Sequence, residues 1–128
     1  MLLLDTCTFL WAATGDACVP EVVRERLRDP DEHVLLSSVS AWEICVKFGL
    51  GKLPLPEPPD RYIPDRRSRL AISGLALEES DVLPLAKLPA LHRDPFDRML
   101  VAQAIARGLT IVTPDPSVRA YPCLTWWG

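Results

Sequence analysis

The chain has only two histidines, His33 and His92, and no Cys-x-x-Cys pair among its four cysteines. A thiolate-imidazole zinc site is therefore not expected. No run approaches the ~20 apolar residues that a bilayer span requires. The apolar start, Met1 to Leu4, stops at Asp5 and lacks the basic beginning and longer apolar stretch of a signal peptide. Cys7, Cys18, Cys45 and Cys123 then read as reduced thiols in a cytoplasm, with no membrane association. No serine sits in a GxSxG elbow, Cys7 has no evident base, and the glycines form no GxGxxG fingerprint. Acyl-enzyme chemistry and dinucleotide binding lose their usual signatures. Basic residues are outnumbered, 14 against 17, for a net charge of -3. That balance argues against a broad, non-specific nucleic-acid binder, though a selective enzyme with a local basic rim is compatible with it.

What is present fits one globular domain spanning 1–128, at 48% hydrophobic and 24% charged residues. A chain of this length buries roughly two-thirds of its unfolded surface. Leu2 to Leu4, Val34 to Leu36, Leu75 to Leu77, Leu109 to Thr113 and Cys123 to Trp127 read as strands. Helices are expected from Thr6 to Ala13, Pro20 to Arg28, about Ala41 to Phe48, Glu79 to Lys87, and Asp94 to Arg107, the last stopped by Gly108. Arg61 to Arg69 is a basic, helical stretch that Pro64 should interrupt or restart, and Lys52 to Pro59 a proline-rich loop. Alternating strands and helices imply an α/β, three-layer sandwich around a mostly parallel central sheet.

Four acids stand where strands end or helices begin: Asp5, Glu43, Asp97 and Asp115. Each has a structural role that would account for it. Asp5 suits an N-cap, Glu43 follows Ser40 at capping-box spacing, Asp97 sits in a first helical turn, and Asp115 lies in a Pro-Asp-Pro turn. Those roles do not explain why all four fall at one sheet edge if the strands are parallel. A hard divalent cation, Mg²⁺ or Mn²⁺, does explain it, because carboxylates gathered there would otherwise repel one another. Phosphodiester hydrolysis by activated water is the matching chemistry.

Leu4-Asp5-Thr6, Ser40-Ala41-Trp42-Glu43-Ile44 with Lys47, the block from His92 to Ala104, and Thr113-Pro114-Asp115 together resemble a PIN domain of the VapC toxin group. The resemblance runs in order over nearly the whole chain. It implies a metal-dependent endoribonuclease that cuts RNA and serves as the toxin of a toxin-antitoxin pair. Asp5 and Asp97 would be the principal metal ligands, with Glu43 and Asp115 acting directly or through water, and one or two ions bound. Asp94 either faces the metal or caps the helix that presents Asp97, the second being favoured. A small antitoxin protein is the implied partner, in a homodimer or a hetero-oligomer.

Lys47 reads equally as an ion-pair partner of Glu43 four residues earlier or as a contact to substrate phosphate. Arg93 and Arg98 flank the acidic turn and are candidate RNA contacts. His92 reads as a local hydrogen-bonding residue. The alternative from another class is a non-catalytic PIN-like scaffold that binds RNA or protein without cutting; possession of all four acids argues against it.

Overall fold

The run Leu2–Leu4 forms the first strand, β1, of a computed structural model that describes residues 1–128. In chain order there follow α1 (Thr6–Thr14), α2 (Glu21–Arg28), β2 (Val34–Ser37), α3 (Ser38–Gly49), α4 (Pro59–Arg69), β3 (Ser73–Leu75) and α5 (Glu79–Val82). After a short 3-10 helix (Leu83–Lys87) come α6 (Pro95–Arg107), β4 (Thr110–Val112), α7 (Pro116–Arg119) and β5 (Leu124–Trp126). The sheet order is β3-β2-β1-β4-β5, and every neighbouring pair is parallel.

β1 lies in the middle of the sheet with all three leucines buried, which is why it reads as an unbroken apolar run. Each leucine contributes about 2 kcal/mol over an exposed position. Leu2 and Leu4 point into one core with Phe9, Val23, Ile44 and Tyr62 from α1 to α4, while Leu3 points into another with Met99, Leu100 and Val118 from α6 and α7. Two helical layers thus enclose an all-parallel sheet, a stricter arrangement than the mostly parallel one expected.

Several boundaries differ from the sequence reading. The third strand is Ser73–Leu75, not Leu75 to Leu77, and pairs with Leu35–Ser37. Gly74 lies within the strand, paired with Leu36, and the Arg67 guanidinium fills the space beside it. Beyond it, the Ala76 carbonyl accepts from Gln103 Nε2 at 3.2 Å and so leaves the ladder. Pro64 does not interrupt α4. It is exposed, so its missing donor and its ring lie where water can serve the Asp60 carbonyl. The helix expected from Glu79 to Lys87 is one α turn followed by the 3-10 helix, tightened at Pro84. Ser37 rather than Ser40 caps α3, its Oγ accepting from Val39 N at 3.0 Å. The capping-box reading of Ser40 and Glu43 therefore fails, and Glu43 lies in the second turn. The Pro-Asp-Pro turn in fact opens α7, which the sequence reading had missed.

Candidate active site

Parallel strands put all their C-terminal ends on one edge, and the acids gather there. Asp5 follows β1, and α3 leaves β2 to carry Glu43. Asp115 follows β4, whose Val112 pairs with Leu4. Helix α6 returns to the opposite edge to start β4, so its N-terminus, with Asp94 and Asp97, also lies at this edge. The four expected acids, together with Asp94, line one open cleft of about 450 Å³.

Three of these aspartates cap helices while lining the cleft. Asp5 Oδ1 accepts from Thr8 N at 2.8 Å, Asp94 Oδ1 from Phe96 N at 2.9 Å and Asp97 N at 3.3 Å, and Asp115 Oδ1 from Ser117 N at 2.8 Å. The capping and site roles are thus compatible: each cap fixes its carboxylate through Oδ1 while the residue lines the cleft. Asp97 is held differently, with Oδ2 3.0 Å from His92 Nε2. His92 is itself placed by its backbone N–H, which donates to Tyr121 Oη at 2.9 Å. Glu43 is buried, accepts from the Thr6 hydroxyl at 2.6 Å through Oε1, and pairs with Lys47 through Oε2. Ser40 Oγ lies 3.0 Å from the same Thr6 hydroxyl.

The electrostatics record this convergence. Burial, then the neighbouring charges of Asp94, Glu43 and Asp5, push the Asp97 carboxyl up to about 6 against the opposing His92 hydrogen bond. Burial raises Asp5 as well, with Asp115 adding repulsion and bonds from Thr113 and Thr8 opposing it. Desolvation and the charges of Asp5, Glu43 and Asp97 push the Cys7 thiol, also in the cleft, up to about 11. Cys7 therefore stays protonated at neutral pH and is a poor nucleophile.

Carboxylates raised by burial and mutual repulsion are the state that a bound cation relieves. Ligand atoms of His92, Asp94 and Asp97 lie within 4.8 Å of one another. The donor set is rich in oxygen with a single imidazole, which fits a hard divalent ion. His92 thus stands beside the expected acids and makes the local hydrogen bond read for it, to Asp97. Lys47 lines the cleft, whereas Arg93 is exposed on the preceding loop and Arg98 is partly buried with an unpartnered Nε; neither of the two arginines lines it.

The sequence reading also missed a buried polar chain behind the site. Ser37 Oγ donates to Gln103 Oε1 at 2.5 Å, and Gln103 Nε2 donates to Asp81 Oδ2 at 3.1 Å. Arg107 closes the chain with two hydrogen bonds to Asp81, at 2.8 and 2.9 Å. A glutamine inside the buried run Met99 to Ala104 was the one available hint.

The family model described as PIN domain matches residues 2–122. Ribonuclease VapC16 of Mycobacterium tuberculosis is 44% identical over 57 residues, which is 44% of this chain and 40% of that protein. The aligned stretch is thus less than half of that relative. Among solved structures, VapBC2 from Rickettsia felis bound to a promoter DNA fragment superposes with a TM-score of 0.74 at 17% identity, covering 98% of this chain and 96% of that one. DNA-bound VapBC from Salmonella typhimurium gives 0.69 at 20% identity, covering 97% and 94%. FitAcB from Neisseria gonorrhoeae gives 0.66 at 21%, covering 98% and 96%.

Proposed function

The chain belongs to the PIN domain family, and from that premise we propose that it is a divalent-metal-dependent endoribonuclease, the VapC-type toxin of a toxin-antitoxin pair acting in the cytoplasm. The observation that carries this reading is the gathering of Asp5, Glu43, Asp97 and Asp115 in one cleft at the C-terminal edge of the sheet. The identity shared with a ribonuclease VapC and the folds shared with VapBC complexes support it.

Asp5 and Asp97 would hold Mg²⁺ or Mn²⁺, with Glu43 and Asp115 completing the set. When bound, the ion would supply Lewis-acid stabilisation of phosphoryl charge and lower the pKa of coordinated water. The residues of the chain do the rest. The caps at Asp5, Asp94 and Asp115 fix carboxylate positions before substrate arrives, and His92 orients Asp97. Thr6 and Lys47 hold Glu43 by both carboxylate oxygens, and Lys47, which lines the cleft, would bring a positive charge toward an incoming phosphate. A small antitoxin would bind across the acidic edge, in a homodimer or hetero-oligomer of the toxin. Induced expression of wild type beside Asp97→Asn, scored for growth arrest and RNA cleavage, tests the proposal. Harmless wild-type protein that cuts no RNA would sink it.

A further inference from the structure

The geometry points to Trp11 as a nucleobase-stacking wall of the acidic cleft, taking the base of a nucleotide beside the scissile phosphodiester of single-stranded RNA. This deepens the ribonuclease reading and rests on it. Trp11 is the one large aromatic ring lining a cleft otherwise built of carboxylates, one hydroxyl, a thiol, a lysine, a histidine and prolines. Neither holding a cation nor neutralising phosphate charge uses an indole, whereas every base presents a π-face to one.

The placement suits that role. Asp5 caps α1, and Trp11 lies six residues further on, ~9 Å along the helix axis. It stands one turn beyond Cys7, so both face the same cleft from one side of α1. It is also held before substrate arrives. Trp127 meets it edge to face, with centroids 6.2 Å apart and planes at 61°, and both indoles pack against the same apolar core. A ring already fixed loses little rotamer freedom on binding, so the stacking contact is retained as affinity. Because stacking tolerates any base, Trp11 sets the register and hold of the strand rather than a strict sequence.

The test uses the full chain with Mn²⁺ and a short single-stranded RNA whose cleavage position has been mapped. A series of that RNA carries one abasic nucleotide at each position flanking the cut. Wild type should lose about tenfold in KM at one flanking position, Trp11→Leu about the same with the parent RNA, and Trp11→Phe much less. In Trp11→Leu the sensitive abasic position should cost nothing further, because the base and the ring form one contact. Thermal melting of each variant establishes that it is folded. If Trp11→Leu does not fold, the abasic series on wild type and Trp11→Phe decides alone, and equal KM at every position overturns the inference. Cleavage by wild type with KM indifferent to Trp11→Leu, or with ring and base losses that simply add, overturns it and leaves the nuclease reading standing. Wild type that cuts no RNA overturns both.

Discussion

His92 Nε2 and Asp97 Oδ2 stand 3.0 Å apart, joining the loop before α6 to the first turn of that helix. Tyr121 fixes the loop side of this contact and Asp94 the helix side, so the carboxylate is aimed into the cleft from two directions. An aspartate so held, yet raised to about 6 by burial and neighbouring acids, is stabilised by a cation and strained without one.

Asp97→Asn and Asp5→Asn should each lower RNA cleavage roughly 10²- to 10³-fold or more, since a metal-bound oxygen is worth several kcal/mol in the transition state. Far-UV circular dichroism should be unchanged. Full activity in both variants overturns the assignment of ligands.

Chelation should abolish cleavage, and Mg²⁺ or Mn²⁺ should restore it, because the donors are mainly oxygen. Melting of the chelated protein should still be cooperative, the two cores being complete without an ion. Undiminished cleavage after exhaustive chelation excludes the mechanism.

In metal-free buffer the folded protein holds the Asp97 proton more tightly than the unfolded chain does. The contribution of this group is then fully present below about pH 4 and is lost as pH rises through about 6. The loss is about 3 kcal/mol. Chemical denaturation of wild type and Asp97→Asn from pH 4 to 7 should show their stability difference moving toward the variant as pH rises. A flat difference refutes the shift.

Asp81 has the opposite sign. Hydrogen bonds from Arg107, then from the Glu78 backbone and Gln103, hold it down to about 2 against the cost of burial. Its contribution is present above about pH 4 and lost as pH falls toward 2. Asp81→Asn should cost on the order of 2 kcal/mol at pH 7. The gap in melting temperature between wild type and variant should close on acidification.

Co-expression with the short reading frame beside the gene should relieve growth arrest and yield a complex that lacks cleavage activity. Binding should weaken with salt, since the cleft attracts a guanidinium or ammonium group in place of the ion. A chain that is harmless when expressed alone and co-purifies with nothing favours a scaffold instead.

The central strands β1, β2 and β4 were legible because burial on both faces forces a continuous apolar run, as in Leu2-Leu3-Leu4, and α6 because Asp94-Pro95 and Gly108 mark its two ends locally. The four acids were legible for a related reason: in a parallel sheet, chain order alone puts residues after β1, β2 and β4 at one edge. Pro64 and Ser73-Gly74 were misread because their outcome depends on their surroundings, solvent exposure on α4 in one case and pairing with Leu35 and Leu36 of β2 in the other. Glu43 is held by Thr6 from 37 residues away, and Ser37 is bonded to Gln103 across 66. Local pattern carries no trace of such partners, since a hydroxyl or amide is the same letter whether it meets water or another chain segment. Tertiary packing alone chose between them, because a buried polar group without a partner costs more than most single contacts return.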